Sequence, residues 1–210
     1  MDLFFDEIYV PTEPVSLAEA KKHLLVDFTD DDTYITSLIQ QSRNAIENYC
    51  HISITPKQVT LTRSQKIDQY PAAPYGVSKW DLSFYGYITP GNWWQLPHGP
   101  VTAVLSVTNV TDSGQITMGV LNTNYFLRGT QFKEIKTNGF CETLIVVYST
   151  GWVNGQGAFY CPYDLKRAIL EEIAFRYTNR GDQRQRYATA NPGVCDGARA
   201  WAKQYIELQL

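Results

Sequence analysis

The sequence predicts an α+β chain, a helical bundle with a β-rich insertion domain between helices two and three. Apolar residues recur at helical spacing near both ends, β-branched residues alternate with polar ones through the middle, and the composition changes abruptly at residue 52. On this pattern residues 1–51 and 158–210 form the helical domain, and 52–157 the insertion.

The first helix starts at Ser16, which forms a capping box with Glu19, and continues through Leu17, Ala20, Leu24 and Leu25 on one face. The second covers about 31–50, with Ile35, Leu38, Ile39, Ala45, Ile46 and Tyr49 on one stripe. Between them, DFTDDDTY puts four aspartates into six positions. A calcium loop needs glycine at its sixth place and glutamate at its twelfth. Counted from Asp27 those places hold Asp32 and Leu38, and counted from Asp30 they hold Ile35 and Gln41. The cluster therefore reads as helix punctuation, with Thr29 or Asp30 as cap and the other carboxylates at the positive dipole end.

ISITPKQVTLTRS, 52–64, has the period of a half-exposed strand, and 101–110 is a second strand closed by an Asp112-Ser113-Gly114 turn. Residues 65–100 are rich in Tyr, Trp, Gly and Pro and read as loops with short strands. Asn138-Gly139, between two strand-like runs, predicts a tight hairpin. Pro162 suits the first turn of a third helix, carried by Leu165, Ala168, Ile169, Ile173 and Tyr177 to about Asn179. Residues 181–197 read as a linker before a last helix over 198–208, with Ala198, Trp201, Ala202 and Tyr205 in step.

The chain of 210 residues is 44% hydrophobic and 19% charged, with a net charge of −3, an ordinary globular balance. That charge argues against a dedicated nucleic-acid binder, which needs excess Lys and Arg to neutralise phosphate. Cys50, Cys141, Cys161 and Cys195 form no C-x-x-C pair, and His23, His51 and His98 fall in different elements, so no metal centre is expected. The N-terminus has acids where a signal peptide needs positive charge, and no apolar run has membrane-spanning length. GWVNGQG lacks the G-K-[ST] ending of a nucleotide loop, so no cofactor is expected there. No residues emerge as catalytic. Arg176, Arg180, Arg184 and Arg186 place positive charge at the end of the third helix and into the linker, either complementing the helix dipole or meeting an acidic partner.

VSLAEAKKHLLVDFTDDDTYITSLIQQSRNAIENYC resembles the N-terminal signature of phage head–tail connector (adaptor, head-completion) proteins: a short capped helix, an acidic turn and a long helix ending here in Ala45-Ile46-Glu47-Asn48-Tyr49. WWQLPHGPVTAVLSVT, NYFLRG, VVYSTGW and CPYDLKRAILEEIAFRYTNRGD continue the likeness over roughly 15–182. Cys161-Pro162 and the Trp93-Trp94 pair depart from it. The resemblance implies a non-enzymatic virion protein at the head–tail junction, assembled in the host cytoplasm as a homo-oligomeric ring, expected as a dodecamer. It would dock beneath the portal, meet the tail or a second connector, and let DNA pass through its lumen. The alternative is a packaging factor that binds DNA directly through the arginines near 176–186. On the connector reading, Trp93 and Trp94 serve subunit or tail-side contacts. Arg180, Arg184, Arg186, Trp201 and Tyr205 then serve the portal, with the C-terminal helix folding on the partner.

Overall fold

The computed structural model describes residues 2–6, 13–64, 93–111, 113–138, 143–180 and 193–206. Among these, four α-helices and two antiparallel sheets make an α+β fold. The chain divides into two compact units. One contains Lys57–Thr150 and the N-terminal strand; the other contains the helices on either side.

In the helical unit, α1 (Leu17–Leu24) opens with the expected capping box, since Ser16 Oγ accepts from the Glu19 amide and the Glu19 carboxylate accepts from the Ser16 amide. It ends one residue early for the predicted stripe. Leu25 is the C-cap in left-handed conformation and lies 91% exposed instead of on the buried face. α2 (Asp32–Cys50) buries Ile35, Leu38, Ile39 and Ile46, against which α3 (Tyr163–Thr178) sets Leu165, Ala168, Ile169 and Ile173. Pro162 is the N-cap of α3, one place before the predicted position. α4 (Asp196–Ala202) runs on as a single 3₁₀ turn, Lys203–Tyr205. Arg184, Arg186 and most of the predicted linker lie outside the described residues.

The acidic turn is not capped by its side chains. Asp31 is the N-cap of α2 but makes no capping bond; its carboxylate is drawn to α3, and Asp32 pairs with Lys21 at 2.6 Å. The start predicted for the next strand is also corrected. Residues 52–55 form a buried segment whose Ile54 and Thr55 amides donate to the Glu47 carboxylate, which leaves those groups unavailable to a sheet. The strand begins at Lys57.

In the β unit, β1 (Asp2–Asp6), β2 (Lys57–Ser64), β4 (Val101–Val110), β5 (Ile116–Met118) and β8 (Thr143–Thr150) form a sheet in the order β1-β2-β8-β4-β5. A smaller sheet of β3 (Trp93–Gln95), β7 (Glu134–Thr137) and β6 (Tyr125–Arg128) runs β3-β7-β6. Val59, Leu61, Leu96, Val107, Ile135, Val146 and Tyr148 form its core, with the Tyr148 hydroxyl donating to the Pro97 carbonyl at 2.9 Å. The strands flanking Asn138-Gly139 do not pair as the expected hairpin would, and the turn itself, 139–142, lies outside the described residues. β7 and β8 sit centrally in different sheets, each with both edges already taken, so neither can pair with the other.

Candidate partner-binding surfaces

GWVNGQG is a strand-to-helix connection with its backbone already occupied. Gly151 has φ +110°, and an added Cβ would lie 2.7 Å from the Pro56 backbone, so only glycine fits. The Asn154 carboxamide oxygen accepts from the Gln156 and Ala158 amides, two donors a phosphate would need.

The arginines at the end of α3 are committed within the subunit. Arg180 donates to Asp31 Oδ2 at 2.6 Å, and the Tyr177 hydroxyl donates to the same oxygen at 2.6 Å. The Arg180 guanidinium also stacks over Tyr34 and Tyr177, at 4.6 and 4.3 Å from their ring centroids. Arg180 holds the Asp31 carboxyl below the usual carboxylate range, with the Tyr177 bond adding to it. This cluster ties the start of α2 to the end of α3. Arg176 donates to Glu172 at 2.7 Å and to the Gly193 carbonyl at 3.0 Å. Glu172, fully buried, accepts the Cys195 amide with its other oxygen.

α4 therefore packs on its own subunit, which corrects the expectation that it needs a partner surface to fold on. Ala198 and Ala202 are fully buried, and the Ala202 carbonyl accepts from the Cys50 thiol. Tyr205 meets Trp152 edge-to-face at 5.6 Å, with its hydroxyl 3.5 Å from Asp164. Trp201 remains 40% exposed. In the β unit, Trp93 and Trp94 are half-buried, Trp93 beneath the Arg128 guanidinium and Trp94 beneath that of Arg63. Trp94 also packs on the core cluster.

Sequence reasoning passed over the Arg43–Glu47 pair. Arg43 reaches Glu13 at 2.9 Å and Glu47 at 3.1 Å, while Glu47 fastens residues 54 and 55. Its trace in the sequence is an opposite-charge pair four residues apart on an otherwise buried helical face, and Glu172–Arg176 repeats that trace. Among the described thiols, burial pushes Cys50 and Cys161 up to about 12 and Cys195 up to about 11.

The capped α1, the acidic turn and α2 with its buried Glu47 form one continuous structural run. Residues 14–75 match the family model described as phage gp6-like head-tail connector protein. Over those residues the chain is similar to phage head–tail connector proteins. Over nearly its whole length the connector-like chain shares its fold with three solved structures. It matches a chain in the neck of an empty gene transfer agent particle, computed with C6 symmetry, with TM-score 0.64 at 16% identity, covering 99% of this chain and 97% of that one. A chain of the native gene transfer agent virion gives 0.65 at 18%, covering 98% and 96%. One in the native neck, computed with C12 symmetry, gives 0.62 at 17%, covering 99% and 97%. No curated protein matches the connector-like chain. Among its described residues no helix is long and apolar enough to cross a membrane.

Proposed function

We propose that this protein is a structural subunit of a head–tail connector ring, docking beneath the portal and bridging to the tail, with DNA passing through the lumen. The observation that carries this reading is the match of residues 14–75 to the connector model, over the run that packs α1 and α2 together. The likeness to neck chains of gene transfer agent particles supports it at the level of the fold, and the C12 symmetry of one such neck fits a dodecamer. A net charge of −3 per subunit, multiplied around a ring, favours a lumen that does not hold phosphate. The role needs no catalysis.

The helices of 1–51 and 158–210 would form the connector core and 52–157 an accessory insertion, whose sheet β1 joins. Arg176 and Arg180 serve the subunit's own packing in this account. Portal-facing contacts then fall to Trp201, Tyr205, Arg184 and Arg186, and tail-side contacts to Trp93 and Trp94. Pull-down of the purified protein by the cognate portal ring, set beside duplex-DNA binding at low and moderate salt, tests the reading. Portal capture with no salt-sensitive DNA affinity is expected. Salt-sensitive DNA binding without portal capture would instead support the DNA-packaging alternative.

A further inference from the structure

The five-stranded sheet ends on β5, and the backbone there has a defined orientation. The Gly119 amide donates to the Val107 carbonyl at 2.7 Å and the Thr111 amide to the Gln115 carbonyl at 2.9 Å, bracketing Thr117 opposite Asn109. Odd-numbered residues therefore turn their amides toward β4. Ile116 and Met118 turn their N–H and C=O groups outward, to the sheet's open side. Their side chains are exposed as well, by 69% and 61%. Val120 and Leu121, which follow β5, are exposed by 57% and 47%, and Leu105 on β4 by 54%. Summed, these five residues expose roughly 500 Å², about two thirds of what one partner gives a standard interface. An edge with no partner strand among the described residues, bearing exposed apolar side chains, is a template for another strand.

At the opposite end of the same sheet stands β1, the other end strand among the described residues, with sequence DLFFD. A ring needs two different and complementary faces on each subunit, because its contacts are head-to-tail. Two edges of one sheet, each without a partner strand among the described residues, meet that requirement, since each supplies donors and acceptors for the other. Joining them adds strand pairing to the apolar contact and brings the buried area up to that of a stable interface. We infer that the β5 edge, with Leu105, Ile116, Met118, Val120 and Leu121, receives the β1 edge of a second copy of this chain, so that neighbouring subunits share one continuous sheet. This rests on the ring reading above and names the surface that closes the ring.

The test uses the full-length chain with Ile116→Lys and Met118→Lys together, followed by sedimentation velocity alone and with the portal ring, with thermal melting as the folding control. Charge on an edge strand blocks pairing without disturbing a core these side chains do not enter. The wild type is expected to assemble, and the double variant to melt like the wild type yet sediment as a monomer where the wild type assembles. Separately, Met118→Cys protein mixed with Phe4→Cys protein is expected to give a disulfide between copies that joins those two positions, mapped by mass spectrometry. A double variant that assembles as well as the wild type, or mixed rings of the two cysteine variants in which those cysteines never link, would overturn the edge pairing while leaving the connector reading intact. A wild type that stays monomeric both alone and with portal contradicts both.

Discussion

Glu47 and Glu172 show how single residues organise the helical unit. Each is a buried carboxylate near the C-terminal half of a helix, paired with an arginine four positions away, and each accepts backbone amides from a later segment. A buried acid is costly unless its lone pairs are filled, so the pairing and the amide capture stand or fall together. Glu47→Ala leaves Arg43 partly unpaired and two amides without an acceptor. It is expected to lower stability by about 3–5 kcal/mol, read by chemical denaturation, with Glu47→Gln losing less. The exposed acids respond to pH. Lys166 above all, together with the Ser16 amide, holds Glu19 down to about 2, and Arg180 holds Asp31 below its ordinary range. A depressed folded-state value stabilises above the unfolded value and is lost as pH falls through the folded one. Melting temperature is therefore expected to be level at neutral pH and to drop between about pH 4.5 and 2. Glu19→Gln should flatten part of that drop. An unchanged acid limb in this variant would count against the Lys166 contact. These contacts were only half legible in the sequence: Ser16 and Glu19 show their box within four residues, whereas nothing local points Asp31 at a residue nearly 150 positions away.

At the scale of elements, long amphipathic stripes were legible because burial on one helix face is a local, periodic demand. α2 and α3 follow from Ile35, Leu38, Ile39 and Ile46, and from Leu165, Ala168, Ile169 and Ile173. Strand partners were not legible. Asn138-Gly139 satisfies a turn's requirements, but pairing is decided by which edges remain open, and β7 and β8 each lie between two other strands. ISIT alternates as a strand does, yet a buried carboxylate takes its amides. α4 was legible as an amphipathic helix, but its docking surface was not. That surface comes from Glu172, Gly193 and Cys50, none adjacent to α4 in sequence except Gly193. Deleting residues 193–210 is accordingly expected to destabilise the helical unit by about 3 kcal/mol or more, through lost burial of Val194, Ala198 and Ala202 and an unfilled Glu172 oxygen. Trp201→Ala, at a side chain already 40% exposed, should cost at most about 1 kcal/mol while weakening portal capture. Equal stability of the truncated and full-length chains by thermal melting would show that α4 contributes nothing to its own subunit.

For the whole molecule, the proposed role makes the chain one member of a ring at a head–tail junction. α1 and α2 lie within the matched residues 14–75, and the β unit holds a sheet whose β5 end, without a partner strand among the described residues, exposes Ile116 and Met118. The likeness to connector proteins was legible in the sequence only as an ordered series of weak motifs; the neck chains share the fold at identities of 16–18%, which leave few residues in common. Electron cryo-microscopy of the purified protein mixed with its cognate portal tests this most directly. The account predicts a closed ring of copies stacked coaxially on the portal, with an open channel through both. Monomers or irregular aggregates beside bare portal rings would contradict it.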